Sequence, residues 1–209
     1  MTDIPVVDLA PFRDGNPAAR QRIAAQVAQA CETLGFLVVS GHGVPAVDSS
    51  ALHAEALRFF DRPLAEKMTV RRPRDDQNRG YIPYGEETLA KMHGGITPPD
   101  YKEVFAIGPD EIPNEPYFTG PLAYPDFAPN LWPENSAKLK QAMLTYYDGM
   151  LGLARLLADI YGHALGMPER FLSNACRATP ASFDCCITRH RKANLHRVSC
   201  AVVPTRTWA

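Results

Sequence analysis

The stretch Gly35-Phe-Leu-Val-Val-Ser-Gly-His-Gly-Val-Pro45 decides how the first part of this chain is read. Phe36-Leu-Val-Val39 is a short apolar, β-branched run suited to a strand, and Gly41-His-Gly-Val-Pro45 closes it with a turn. Behind it, Ala18 to Leu34 carries Ile23, Val27, Cys31 and Leu34 at spacings of four and three, which predicts an amphipathic helix. Gly35 stands where a glycine commonly ends such a helix. Further back, Ile4-Pro-Val-Val-Asp-Leu9 reads as a second strand. Pro5 then lies near its start or on an edge, because proline donates nothing to a ladder. Ahead of the turn, Asp48 to Phe60 predicts a helix burying Leu52, Ala56, Leu57 and Phe60. Pro63-Leu-Ala-Glu-Lys67 adds a helical turn with proline at its first position.

Downstream, residues 71–133 are rich in Pro, Gly and Asp, with one predicted strand, Lys102-Glu-Val-Phe-Ala-Ile107. So long an irregular stretch is usually functional. Ser136 to Gly166 is the strongest periodic signal. Leu139, Met143, Tyr146, Met150, Leu153, Leu157, Ile160 and Ala164 alternate steps of four and three. That predicts an amphipathic helix of roughly 45 Å, begun at Ser136 and stopped at Gly166.

Composition narrows the function. The chain has 209 residues, 45% hydrophobic and 22% charged, enough to bury a core. A formal net charge of −1 argues against bulk electrostatic binding to nucleic acid or membrane. No apolar run approaches the ~18–20 residues that span a bilayer, and the first residues lack a signal-peptide pattern, so a cytoplasmic location is expected. The five cysteines are too unevenly spaced for a disulfide framework. The charge is uneven: residues 183–209 carry +4, which leaves −5 for residues 1–182. Cys185, Cys186 and Cys200 fall in the same short tail.

Six blocks, in order, resemble the N-terminal region of iron(II)- and 2-oxoglutarate-dependent oxygenases of the isopenicillin N synthase type. They are Ile4–Leu9, Gly35–Pro45, Phe59-Phe-Asp-Arg-Pro-Leu-Ala-Glu-Lys67, Arg79-Gly-Tyr81, Asp100-Tyr-Lys-Glu-Val-Phe105 and Asn130-Leu-Trp-Pro133. Gly80-Tyr-Ile-Pro-Tyr-Gly-Glu-Glu87 is similar to the corresponding loop of bacterial ethylene-forming members. The resemblance implies an α+β fold, the N-terminal helical and strand portion of a double-stranded β-helix (jelly-roll) oxygenase with the barrel largely missing. It further implies a parent enzyme that holds Fe(II), decarboxylates 2-oxoglutarate to succinate and oxidises a small molecule. There, a His-x-Asp pair and a later histidine hold the metal, which leaves positions open. An Arg-x-Ser further on grips 2-oxoglutarate.

The six histidines are His42, His53, His93, His163, His190 and His196; none is read as having an acid two residues on, and no Arg-x-Ser is read in the chain. No catalytic, cofactor-binding or metal residue is therefore assigned, and neither Fe(II) nor 2-oxoglutarate is expected to bind this chain. The tail suggests a shifted reading frame. Reading each new codon as one third base plus the next two, Asp184 followed by Cys185 gives only leucine, as does Cys185 followed by Cys186. Residues 183–188 are thus compatible with Arg-Leu-Leu-His-Tyr, a strand the family carries here. The same shift over residues 199–209 permits a His-Thr-Asp. The expected division is an oxygenase N-terminal region at 1–182 and an aberrant, basic, poorly ordered tail at 183–209.

Arg79, Tyr81, Glu86 and Glu87 are the candidate substrate-loop residues, since the resemblance places this segment beside the substrate pocket. Lys102 and Glu103 read as a surface pair of little worth. His42 between two glycines reads as a turn residue, and His190, His196, Asp184, Cys185 and Cys186 fit no zinc spacing. With barrel strands missing, the long helix is expected to expose its stripe and to favour non-specific self-association. A non-catalytic protein-binding module is the alternative from another class.

Overall fold

The computed structural model describes residues 4–77, 79–87, 100–121, 123–124, 127–175, 181–189 and 196–204, with residue 175 and those from 181 onward described by backbone alone. The chain divides into two compact units, Met1–Ala46 with Asp148–Thr179 and Val47–Tyr147 with Pro180–Ala209.

In the first unit, β1 (Val6–Asp8) pairs in parallel with β2 (Val38–Ser40) in the register Val6↔Val38, Val7↔Val39, Asp8↔Ser40. A parallel pair needs a crossover. Here α1 (Ala10–Arg13) and α2 (Pro17–Thr33) supply it. The α2 helix starts where Asn16 Oδ1 accepts the N–H groups of Ala18 (3.0 Å) and Ala19 (3.2 Å), with Pro17 at the first position. It ends at Gly35, whose φ of 71° lets its N–H bond the Ala30 carbonyl at 3.1 Å. Strand β2 begins two residues later than the apolar run predicts, and Phe36 is exposed. Val7, Leu9, Phe12, Ile23, Ala24 and Val27 form the core with Leu153 and Ile160.

Leu153 and Ile160 belong to α6 (Ala137–Ala164), the predicted long helix. Its stripe is not bare. Leu139, Met143, Leu153 and Ile160 are buried, and Met150, Leu157 and Ala164 pack against the first unit's core. The expectation of an exposed stripe is corrected: in the first unit the chain's own β1 and α2 supply the cover. A short helix, α7 (Phe171–Ala175), follows.

The second unit contains α3 (Ala46–Phe60), α4 (Leu64–Met68), β3 (Gly80–Ile82), β4 (Lys102–Ile107) and α5 (Pro116–Thr119). On α3 the buried residues are Leu52, Ala56, Phe59 and Phe60. Phe59 thus takes the place expected of Leu57, which is half-buried. The backbone of β5 (Ala181–Arg189) and β6 (His196–Pro204) completes an antiparallel sheet in the order β3-β4-β5-β6. Among the described residues this sheet does not close on itself: β3 and β6 are its two ends. Of the tail expected to be poorly ordered, residues 183–189 and 196–204 lie in these paired strands, with Phe183↔Ile107 and Thr188↔Lys102 against β4. Val104–Ile107 are all buried, which explains a continuous apolar run in place of alternation. Among the described residues no helix is long and apolar enough to cross a membrane.

Candidate functional site

The predicted loop residues divide into two that are buried and two at a charged neck. Antiparallel pairing of β3 with β4 sets Tyr81 opposite Phe105 and Gly80 opposite Ala106. Tyr81 is fully buried, and its hydroxyl donates to Glu103 Oε2 at 2.7 Å. Lys67 Nζ donates to the same oxygen and to the Phe60 carbonyl, the latter at 2.9 Å, and stands 5.4 Å from the Tyr81 ring centroid. Phe59 packs its ring on Phe105 (4.7 Å) and Tyr81 (5.9 Å) beside this polar knot. Glu103 is therefore an interior acid holding α4 to the sheet, and the reading of Lys102 and Glu103 as a surface pair is corrected. Alternation along a strand sends neighbours to opposite faces.

Arg79 is also buried, 1% exposed. Its guanidinium lies against Gly108, where an added Cβ would come within 2.1 Å of Nη2. Asn130 fixes that glycine: its Oδ1 accepts the Gly108 N–H at 2.8 Å and its Nδ2 donates to the Gly108 carbonyl at 3.0 Å. Asn130 Nδ2 also reaches Asp110 Oδ1 at 3.3 Å, and Lys140 Nζ pairs with Asp110 Oδ2 at 2.9 Å. The Lys140 hydrogen bond, helped by Asn130 and opposed by partial burial, holds the Asp110 carboxyl below the usual carboxylate range. Asn130 and Trp132, quoted above only as part of a block, prove to be a backbone clamp and a ring packed 6.1 Å from Phe105.

Glu86 and Glu87 stand at the neck of the loop. Arg71 Nη2 pairs with Glu86 Oε2 at 2.8 Å. Lys102 Nζ joins Glu87 (2.9 Å) and Asp100 (3.3 Å), while the Asp100 N–H donates to the Glu87 carbonyl at 2.8 Å. Burial alone would lower the Lys102 pKa; the two carboxylates outweigh it and raise it. Beside them Tyr84 and Tyr101, both exposed, stack with centroids 5.9 Å apart and planes 31° apart. These two tyrosines were missed in the sequence, where nothing marks residues seventeen positions apart as neighbours.

Among the described residues the histidines join no metal-holding group. His42 Nδ1 accepts the Val44 N–H at 3.1 Å, so it shapes the turn as expected. Gly41 beside it has φ 59°, and an added Cβ would meet Asp8 Oδ1 at 2.0 Å. The reading that the chain has neither a His-x-acid nor an Arg-x-Ser is corrected: one of each occurs. His53-Ala-Glu55 lies on α3, where residues two apart do not share a face, and Glu55 pairs with Arg58. Arg197-Val-Ser199 lies in β6, ahead of any His-x-Asp. Among the described residues no three His, Cys, Asp or Glu side chains are grouped to hold a metal ion. The donor set required for Fe(II) is thus not met by them. His93 and His190 lie outside the described residues.

A family model described as "non-haem dioxygenase in morphine synthesis N-terminal" matches residues 4–135. The chain is 29% identical over 175 residues to validamycin A dioxygenase of Streptomyces hygroscopicus subsp. limoneus, covering 83% of this chain and 46% of that protein. It is 32% identical over 181 residues to the 2-oxoglutarate-dependent dioxygenase tropC of Talaromyces stipitatus, covering 82% and 53%. Among solved structures it resembles a 2OG-Fe(II) oxygenase family protein from Caulobacter crescentus, with TM-score 0.73 and 21% identity over 90% of this chain and 56% of that one. It also resembles the dioxygenase for auxin oxidation in rice, with TM-score 0.58 and 21% identity over 89% and 52%. The chain spans about half the length of the curated relatives it matches.

Proposed function

We propose a function from one premise: the chain belongs to the non-haem dioxygenase N-terminal family. Residues 1–182 are the N-terminal portion of an iron(II)- and 2-oxoglutarate-dependent oxygenase of the isopenicillin N synthase type. Residues 183–209 are a tail read in a shifted frame. The observation that carries this reading is the family match over residues 4–135, reinforced by relatives described as 2-oxoglutarate-dependent dioxygenases.

The complete enzyme oxidises a small molecule while 2-oxoglutarate is decarboxylated to succinate. Within it, this portion supplies support and one wall. Arg79 and Tyr81 stiffen β3 from inside, and Glu86 and Glu87 set the charged neck of the substrate loop. The described residues do not fit an iron centre, and the 209-residue chain alone is inactive.

The test is succinate release by the purified chain supplied with Fe(II) and 2-oxoglutarate. None above a chelator-treated control is expected; release that the chelator abolishes overturns the reading. For the tail, the nucleotides from codon 180 onward are expected to continue an oxygenase in the alternative frame through His-Thr-Asp. Stop codons in that frame would defeat the frameshift.

A further inference from the structure

The sheet of the second unit ends in β5 and β6, whose antiparallel ladder runs from Ala181↔Pro204 to Arg189↔His196. Within it Cys185 stands directly opposite Cys200. Cys186, the next residue, opposes Ser199 and falls on the other face of the sheet, because neighbours along a strand alternate. On its other side Cys185 is the register partner of Phe105 in β4. Cys185 and Cys200 are fifteen positions apart in the chain, a separation that no local period marks, and the ladder is what joins them.

Register partners in an antiparallel pair share a face, with Cα atoms about 4.5 Å or about 5.5 Å apart according to the kind of pair. A disulfide spans about 4.4–6.8 Å between Cα atoms, so both kinds fall within its reach. Across a ladder the Cβ atoms are ordinarily about 4.5–5.5 Å apart, and a disulfide draws them to about 3.5–4.5 Å. Closing that gap strains the bond, and strained disulfides are the readily reduced, reversible ones. Among the described strands no other two cysteines are register partners. In the order β3-β4-β5-β6 the last strand is held by β5 alone, so a bond at this point fixes an edge strand to its one neighbour.

We propose that Cys185 and Cys200 are a redox pair that closes to a reversible cross-strand disulfide, with a small-molecule disulfide such as oxidised glutathione as the oxidant. One cysteine thiolate attacks the glutathione disulfide, breaking its S–S bond and releasing one glutathione. The second cysteine thiolate then displaces the other glutathione as the protein S–S bond forms. The two cysteines give up two electrons and two protons, and the glutathione disulfide takes them up to become two thiols. The pair lies in residues 183–209 and does not depend on the oxygenase reading of residues 1–182.

The test is a tryptic map without reductant of the full 209-residue chain, after incubation with oxidised glutathione and alkylation of the remaining thiols. Trypsin cuts after Arg189 and Arg197, so Cys185 and Cys200 leave on separate peptides unless a disulfide joins them. The joined peptide is expected from monomeric chain, with tandem mass spectrometry placing the bond at Cys185, and it should be lost on adding dithiothreitol. Cys186→Ser should keep it, while Cys185→Ser and Cys200→Ser should lose it. In urea, where no ladder exists, Cys185 and Cys186 should link to Cys200 about equally often. If a serine variant does not fold, the position of the bond in the unsubstituted chain decides. Absence of the joined peptide overturns the proposal. So does a bond at Cys186 as often as at Cys185 in the folded chain, or a joined peptide found only in chains linked to one another.

Discussion

Lys67 and Glu103 form an ion pair inside the second unit, each side chain 5% exposed, and the Tyr81 hydroxyl donates to the same carboxylate oxygen. Residues 36 positions apart are joined there, tying α4 to β4, with β3 bonded to the same carboxylate oxygen. Breaking a buried pair leaves one charge stranded, whereas removing both charges is often neutral.

Glu103→Ala is therefore expected to cost about 3–5 kcal/mol in urea denaturation, with Lys67→Met similar. The double variant Lys67→Met/Glu103→Leu should recover most of that loss. If it is as unstable as the single variants together, the pair is not coupled as the geometry requires. Tyr81→Phe, which deletes one bond to a charged acceptor, should cost about 1.5–3 kcal/mol.

The stripe of α6 supplies a packing prediction. Ile160 is fully buried in the first unit's core, so Ile160→Ala should cost about 2–5 kcal/mol. Leu165 is 68% exposed just beyond the helix, and Leu165→Ala should stay within about 0.5 kcal/mol. Equal effects in thermal melts would mean that the core is not where the structure places it.

Two glycines separate strain from crowding. Gly35 and Gly41 both have positive φ, 71° and 59°. A Cβ at Gly35 meets nothing within 4 Å, while at Gly41 it would collide with Asp8 and with the Ala10 backbone. Gly35→Ala should cost about 1–2 kcal/mol from the left-handed backbone alone. Gly41→Ala should cost clearly more in the same denaturation assay.

Asp110 predicts a pH effect with a fixed sign. Its folded pKa lies below the unfolded value, because Lys140 and Asn130 bond the charged form. Its contribution is therefore present above the ordinary carboxylate range and is lost as pH falls through the folded value. The pair is substantially exposed, so Asp110→Asn should cost about 1 kcal/mol or less at neutral pH. That difference should vanish in strong acid. A difference that grows on acidification would reverse the assignment.

The candidate site was only partly readable in advance. Arg79, Tyr81, Glu86 and Glu87 drew attention as polar groups in an irregular stretch, yet burial then parted them two and two. No local pattern distinguishes an arginine packed under Gly108 from one in solvent. The partners of Glu103, Asn130, Tyr84 and Tyr101 lie at long or patternless separations, beyond any helical or strand period.

Sequence alone determined what local chemistry decides. The three-and-four spacing placed the helix from Ala137 to Ala164, Gly35 ended α2 at a left-handed turn, and the apolar run at Lys102–Ile107 became a strand. Tertiary structure decided what depends on a distant partner: that three residues at Gly80–Ile82 form a strand, that Phe59 and not Leu57 faces inward, and that β1 and α2 cover Leu153 and Ile160. The reason is physical. Periodicity and glycine conformations are properties of neighbouring residues, whereas desolvation and cross-strand bonding exist only once remote segments have met.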